Sequence, residues 1–303
     1  MKIVWDRIDR REWGQAAAGA GLPMQQHWSY GDALSALGRQ VSRGEILRHG
    51  RRVGLVQVAS RRTGPVTLSL IGRGPVWLED LPADEAVMAC RMIARGVGLT
   101  VMTPERALHG AGLIPLVTAR HQAVLDLRPD LADLRAGLAG KWRNRLVRAE
   151  GAGLSVGQGA ATAAALEDLL ARDATQQRLR GYHTLPGRFT RTWEQIVPGG
   201  TRLYQANYED QTIATMLLLL HRPAVTYHIG WSGQEGRQLN AHQLLLWQAT
   251  RDLKADGYTT LDLGDVNTED APGLARFKIG SGARIAALGA TMLVLPRLTR
   301  PRS

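Results

Sequence analysis

Thr226-Tyr227-His228-Ile229-Gly230-Trp231, Asn240-Ala241-His242, Asp262-Leu263-Gly264-Asp265 and Phe277-Lys278 follow one another in the last third of this 303-residue chain, and their order decides the fold. Leu203 to Asn207 and Thr212 to Leu220 alternate like two strands of a hairpin turning across Glu209-Asp210-Gln211. Ala224 to Trp231 reads as a third strand. Asn240 to Ala255 reads as a helix, and Leu244, Leu245, Trp247, Ala249 and Leu253 make a stripe too broad for an exposed face. Gly257 ends that helix, and Tyr258 to Leu263 is the next strand. A loop with Phe277-Lys278 and the glycines of Gly280-Ser281-Gly282 follows.

Earlier parts of the chain repeat this order. Trp13 to Ala20 and Trp28 to Leu37 read as helices. Arg48-His49-Gly50-Arg51-Arg52 turns a hairpin into Val53 to Ser60, and Val66 to Ile71 is another strand. Glu85 to Gly96 is an amphipathic helix with Val87, Cys90, Ile93 and Ala94 on one face, and Thr100 to Met102 is a short strand. The later half likewise opens with helices at Thr162 to Leu179 and Phe189 to Ile196. Leu68 to Gly72 and Thr226 to Gly230 fall at matching places. The expected fold is therefore α/β, a tandem duplication divided into 1–129 and 130–303. One long helix, Asp130 to Gly151, is expected to open the second part. It carries Leu131, Leu134, Leu138, Trp142 and Ala149 on an apolar stripe and Lys141, Arg145 and Arg148 on a neighbouring one, with Arg143 projecting elsewhere.

Composition narrows the chemistry. An apolar fraction of 44% supports an ordinary core. The longest apolar run, Ile213 to Leu220, is far short of the ~20 residues a membrane span needs. Met1-Lys2-Ile3-Val4-Trp5-Asp6 turns charged too soon for a secretory signal, so the expected location is the cytoplasm, or the inner face of a membrane if the contact is peripheral. Cys90, the single cysteine, excludes an internal disulfide and reads as a small buried hydrophobe. A net charge of +11 favours an anionic partner, whether RNA, a phosphorylated precursor or an anionic membrane, although arginine-rich composition alone explains many of the cations. The sequence has no HExxH pattern, no Walker loop and no Gly-x-Ser-x-Gly elbow. The tail from Pro296 to Ser303 is basic and is expected to fray.

Several pieces, taken in order, resemble FemABX-type transferases of the GNAT superfamily. They are Gln25-Gln26-His27-Trp28-Ser29-Tyr30-Gly31, Lys141 to Glu150 with Gly153-Leu154-Ser155-Val156, and the run from Tyr227 through Asn240-Ala241-His242 to Phe277-Lys278. The resemblance spans about 25–290. It implies two GNAT-like domains, each a mixed central sheet flanked by helices, with the acyl donor held in the second. It also implies an aminoacyl donor carried on tRNA and an amine acceptor on a peptidoglycan precursor. Other branches of the family are labelled acetyltransferases.

The resemblance gives Lys278, after Phe277, the task of contacting the donor and stabilising the oxyanion of a tetrahedral intermediate. A fixed ammonium suits that charge chemically; the bland reading is a surface lysine beside a packed Phe. Where the family continues to a Phe-Gly pair, this chain has Gly280-Ser281-Gly282. Lys141, Arg143, Arg145 and Arg148 are candidate phosphate ligands, or a solvated helix face. Strand alternation sets Tyr227, Ile229 and Trp231 on one face and His228 with Gly230 on the other. His228 is a candidate general base or a satisfied core histidine, and His242 is open to the same alternatives. Asn240 reads as an N-cap at a helix start suited to an anionic donor. Asp262 and Asp265, at a strand end, would orient the acceptor amine or accept its proton, or simply make a turn.

The literal Arg-x-x-Gly-x-Gly/Ala matches at Arg11 to Ala16 and Arg148 to Gly153 lie in the wrong context for a pyrophosphate loop. Ser232 to Leu239, where such a loop belongs, lacks the pattern. This favours aminoacyl-tRNA over acyl-CoA as co-substrate, with no cofactor or metal expected. The reaction expected is N-acyl transfer to an amine on an anionic cell-envelope or peptide acceptor. The rivals are a CoA-dependent N-acetyltransferase and a non-catalytic RNA- or membrane-surface-binding protein on the same scaffold.

Overall fold

The computed structural model describes residues 1–19, 21–181 and 184–296, in two compact units. The basic tail from Arg297 onward lies outside the described residues. Unit 1 is Met1–Arg120 together with the segment from Ala287, and unit 2 is His121–Ala286.

Unit 1 contains β1 (Lys2–Trp5), α1 (Arg10–Ala17), α2 (Trp28–Ala36), β2 (Gln40–Arg48), β3 (Arg51–Thr63), β4 (Val66–Gly72), β5 (Val76–Trp77), α3 (Ala83–Val97), β6 (Leu99–Thr103) and β7 (Leu113–Val117). Unit 2 contains β8 (His121–Asp126), α4 (Leu131–Ala136), α5 (Gly140–Glu150), β9 (Ser155–Gly159), α6 (Ala163–Arg180), α7 (Gly187–Ile196), β10 (Thr201–Tyr208), β11 (Gln211–His221), β12 (Ala224–Ser232), α8 (Gln234–Gln238), α9 (Ala241–Ala255), β13 (Thr260–Asp265), α10 (Pro272–Gly280) and β14 (Arg284–Ala287). The last strand, β15 (Thr291–Val294), returns to unit 1.

Local chemistry accounts for the hairpins. His49 and Gly50 at φ 49° and 80°, and Glu209 and Asp210 at 46° and 61°, form two-residue turns with both central residues left-handed, a geometry that matches strand twist. Asp9 caps α1 through Glu12 in a reciprocal box. The expected helix Asp130 to Gly151 is instead two helices. The chain leaves helical geometry around Leu138 and Ala139, where the Ala139 N–H donates to Gly280 O at 3.0 Å. A Cβ added at Gly282, whose φ is +84°, would lie 3.2 Å from Gly137 O, so a close backbone crossing replaces the helical turn.

The sheets run β1-β2-β3-β4-β6-β15-β7, with β5 on β3, and β14-β8-β13-β12-β11-β10-β9. They are equivalent: a meander of three antiparallel strands, a crossover helix (α3 or α9), and a parallel neighbour (β6 or β13). The division at 129/130 does not describe this arrangement. β8 lies between β13 and β14, and β15 lies between β6 and β7. Each of these inserted strands directly follows, in sequence, a strand of the other unit's sheet, β7 before β8 and β14 before β15. The halves have thus exchanged one strand each.

Each unit has its own apolar core. In unit 1, Ile46, Val56, Ile71, Ile93 and Met102 are fully buried, and Cys90 lies among them with its thiol pushed up to about 12 by burial. In unit 2, Leu218, Val225, Leu245, Leu253 and Leu261 pack between the sheet and α9, while Leu166, Leu169, Leu217 and Ile229 pack beneath α6 on the opposite face. Full burial of each such side chain contributes about 1.5–3 kcal/mol.

Candidate active site

The two parallel strand pairs differ in one respect that matters for ligand binding. In unit 1, β4 and β6 stay paired through five positions, Leu68–Gly72 against Leu99–Thr103. In unit 2, β12 and β13 pair only at Ala224–Thr226 against Thr260–Asp262. Beyond those positions the strands continue to Ser232 and Asp265 without pairing to each other, and a wedge opens between their C-terminal ends. Unpaired strand edges offer N–H and C=O groups to an extended ligand.

Two irregularities shape the wedge. On β12 the register against β11 slips between Leu217 and Leu218, so Leu217 faces Ile229, Leu218 faces Tyr227, and His228 is the extra residue of a bulge. The bulge corrects the expected alternation. Tyr227 packs on the α9 side, Ile229 and Trp231 pack on the α6 side, and His228 turns to α7, its Nε2 2.8 Å from Thr190 Oγ1. On β13 the register against β8 slips between Asp262 and Gly264. Asp262 Oδ1 holds that slip by accepting from Gln122 Nε2 at 2.7 Å and from Gly264 N at 2.8 Å. Asp262 therefore builds the strand end.

Lys278 is on a helix, α10, rather than on a loop, and its residue is 6% exposed. Its Nζ donates to Asp265 O at 2.7 Å, and lies 3.4 Å from the position a Cβ on Gly264 would take. Burial pulls this ammonium down from the ordinary lysine value to about 8, with the charges of Asp265 and Asp262 opposing the shift. At neutral pH the wedge thus holds one buried cation at the unpaired end of β13.

Trp142, Gly280 and Ser281 hold the Phe277-Lys278 segment in place. Trp142 Nε1 on α5 donates to Phe277 O at 3.0 Å, and the two rings are 6.0 Å apart. A Cβ on Gly280 would lie 2.9 Å from Trp142 Cδ1, so glycine lets the indole reach α10. Ser281 Oγ donates to Lys278 O at 2.7 Å. Trp142 was legible only as one residue of an apolar stripe; its bond to the Phe277 carbonyl gave no signal in the sequence.

α9 brings His242 to the same place. Its ring stands edge-on to Phe277, with centroids 6.0 Å apart. A Cβ on Gly230 would lie 1.7 Å from Tyr227 Oη and 2.8 Å from His242 Nε2, so both groups converge on the bare backbone of Gly230. His242 Nδ1 is buried with no hydrogen-bond partner among the described residues, and burial lowers the imidazole to about 4. Asn240 begins α9 in the left-handed conformation, φ 57°, and makes no side-chain cap. Its Nδ2 donates instead to Gln238 O at 3.4 Å, which corrects the expected N-cap.

The structure thus groups Lys278, Phe277, Asp265, Tyr227 and His242 around the wedge. His228, lowered to about 4 by burial, is engaged by Thr190 on the other face. Trp231 lies under the Arg172 guanidinium at 4.0 Å and lines a separate cleft of about 520 Å³. Lys141, Arg143, Arg145 and Arg148 are all exposed on α5, and none forms an ion pair among the described residues. The segment after β12, where a pyrophosphate loop would lie, forms the short helix α8. No group of three or more potential metal ligands occurs among the described residues.

A family model described as an acetyltransferase (GNAT) domain matches residues 136–278. The second unit is a GNAT acyltransferase domain. The chain as a whole has a tandem GNAT fold, similar to several solved structures. A crystal structure of FemX aligns with a TM-score of 0.76 at 14% identity, covering 97% of this chain and 98% of that one. L-PGS from Bacillus licheniformis aligns with a TM-score of 0.54 at 14% identity, covering 95% and 92%. A tandem GNAT protein from the clavulanic acid biosynthesis pathway aligns with a TM-score of 0.52 at 14% identity, covering 96% and 97%. A comparison with curated proteins gives no significant match.

Proposed function

We propose that the wedge of unit 2 transfers an aminoacyl group from aminoacyl-tRNA to an amine on an anionic acceptor of the cell envelope, such as a peptidoglycan-type precursor. The observation that carries this reading is the buried Lys278 ammonium at the parted ends of β12 and β13. The donor's carbonyl carbon lies in the wedge, and its oxygen faces Nζ. The amine attacks that carbon and a C–N bond forms. The oxygen takes the developing negative charge, which the ammonium stabilises by exchanging part of its bond to Asp265 O for one to the oxyanion. The ester C–O bond then breaks, and the proton released by the amine goes to the departing ribose oxygen through substrate or water. Catalysis is positioning plus electrostatics.

Neutral His242 and Tyr227 border the reacting carbonyl and orient the substrate. The exposed cations of α5 supply charge for the phosphates of tRNA or of the acceptor. The FemX-like architecture and the short helix α8 in place of a phosphate loop support an aminoacyl donor over acyl-CoA. No cofactor enters the scheme.

Thermal shift and product mass spectrometry test the donor. Charged-tRNA mixtures incubated with envelope precursors are expected to give an aminoacylated product, and acetyl-CoA at micromolar concentration is expected to leave Tm unchanged. Stabilisation by acetyl-CoA together with an acetylated product would replace this reading with a CoA-dependent one.

A further inference from the structure

One face of the unit 1 sheet is apolar and open to solvent. Cross-strand partners share a face, so the register identifies its members. Leu68 pairs with Leu99, Leu70 with Val101, Val101 with Leu293, and Leu293 with Ile114. Val66 and Leu68 alternate with Leu70 along β4, and these three are 44%, 44% and 49% exposed. Leu99 is 46% exposed and Ile114 44%, with Leu116 and Val117 at 53% and 48% at the β7 edge. The opposite face of the same strands, Ser69, Ile71, Thr100, Met102 and Met292, is buried.

The equivalent positions in unit 2 are mostly polar. Ala224, Thr226, Thr260 and Asp262 stand where unit 1 has Leu68, Leu70, Leu99 and Val101, so the duplicated scaffold does not demand an apolar surface here. An exposed sheet face of this kind marks an interaction site.

The charge around the face selects its occupant. No Asp or Glu occurs in 46–78, in 106–125 or after Asp270, the segments that supply β3, β4, β7 and β15. The cations there include Arg61, which pairs with Leu68 on this face, and the exposed Arg62 and Arg120. A second copy of this face would set arginines against arginines. An anionic lipid surface accepts the aliphatic side chains at its headgroup boundary and the arginines at its phosphates. We propose that this face of unit 1 docks the protein on an anionic bilayer. The inference is independent of the acyl-transfer reading.

The test is co-sedimentation of the full chain with vesicles of phosphatidylcholine alone and with about 30% phosphatidylglycerol. Binding is expected only to the anionic vesicles and is expected to weaken with salt. Leu70→Asp and Leu116→Asp, and separately Arg61→Glu with Arg120→Glu, are expected to lower partitioning about tenfold. The second variant changes only exposed positions, so it reads the charge contribution even if the first pair misfolds. Failure to bind anionic vesicles would overturn the proposal. So would binding that these changes leave intact, or a solution dimer that the same changes dissociate.

Discussion

At the scale of single residues, burial holds two histidines of unit 2 well below their ordinary values. His228 and His242 are both lowered to about 4 from 6.5. Between those values the unfolded chain binds protons that the folded one refuses. The stability they contribute is complete above about pH 6.5 and is lost as pH falls toward 4. Urea unfolding at pH 7 and pH 5 checks this. His228→Gln, which can keep a bond to Thr190, is expected to show a smaller loss between the two pH values than the unsubstituted protein. An unchanged pH dependence would mean that His228 is not buried neutral. The sequence made both histidines visible as residues but not distinguishable. A bulge, invisible in a strand pattern, turns His228 to α7, whereas the crossover helix carries His242 to Phe277. Lys278 was legible for a different reason, because the Phe-Lys pair survives in order after the last strand of the half-domain.

At the scale of elements, periodicity located the meanders and the crossover helices well, since each buries a regular stripe. It failed for α10. Leu274, Ala275, Phe277 and Lys278 give no clear apolar face, and the helix is held by Trp142 from a distant part of the chain. It also joined α4 and α5, because their stripe continues across a break imposed by Gly282. The wedge supplies the element-scale prediction. Gly230→Ala would place a methyl 1.7 Å from Tyr227 Oη, so the Tyr227 ring must leave its position. The variant is expected to lose about 1–3 kcal/mol of stability in urea unfolding and to lose donor binding with it. Wild-type affinity and stability in Gly230→Ala would show that Tyr227 and Gly230 do not shape the site.

At the scale of the whole molecule, the duplication was readable from element order, while the exchange of β8 and β15 was not. Short strands such as Thr291–Val294 carry little local signal, and their partners are chosen by pairing across nearly the whole sequence. β15 lies between β6 and β7, so removing it opens unit 1 at an interior position of its sheet. A chain ending at residue 288 is expected to expose unit 1 to limited proteolysis while the GNAT domain of unit 2 stays protected. Uniform protection of both units would contradict the observed pairing.

The account rests on Lys278, whose charged form folding does not favour. Its value of about 8 lies below the unfolded 10.5, so stability rises as pH climbs from 8 to 10.5, and a neutral replacement relieves a buried charge at pH 7. The most direct measurement is therefore single-turnover acyl transfer by Lys278→Met, with its Tm recorded alongside. The expected result is a rate lower by about 10²–10³ at pH 7 with Tm unchanged or raised. A rate within a few-fold of the unsubstituted enzyme, or a loss of rate explained by a fallen Tm, would contradict the role assigned to the buried ammonium.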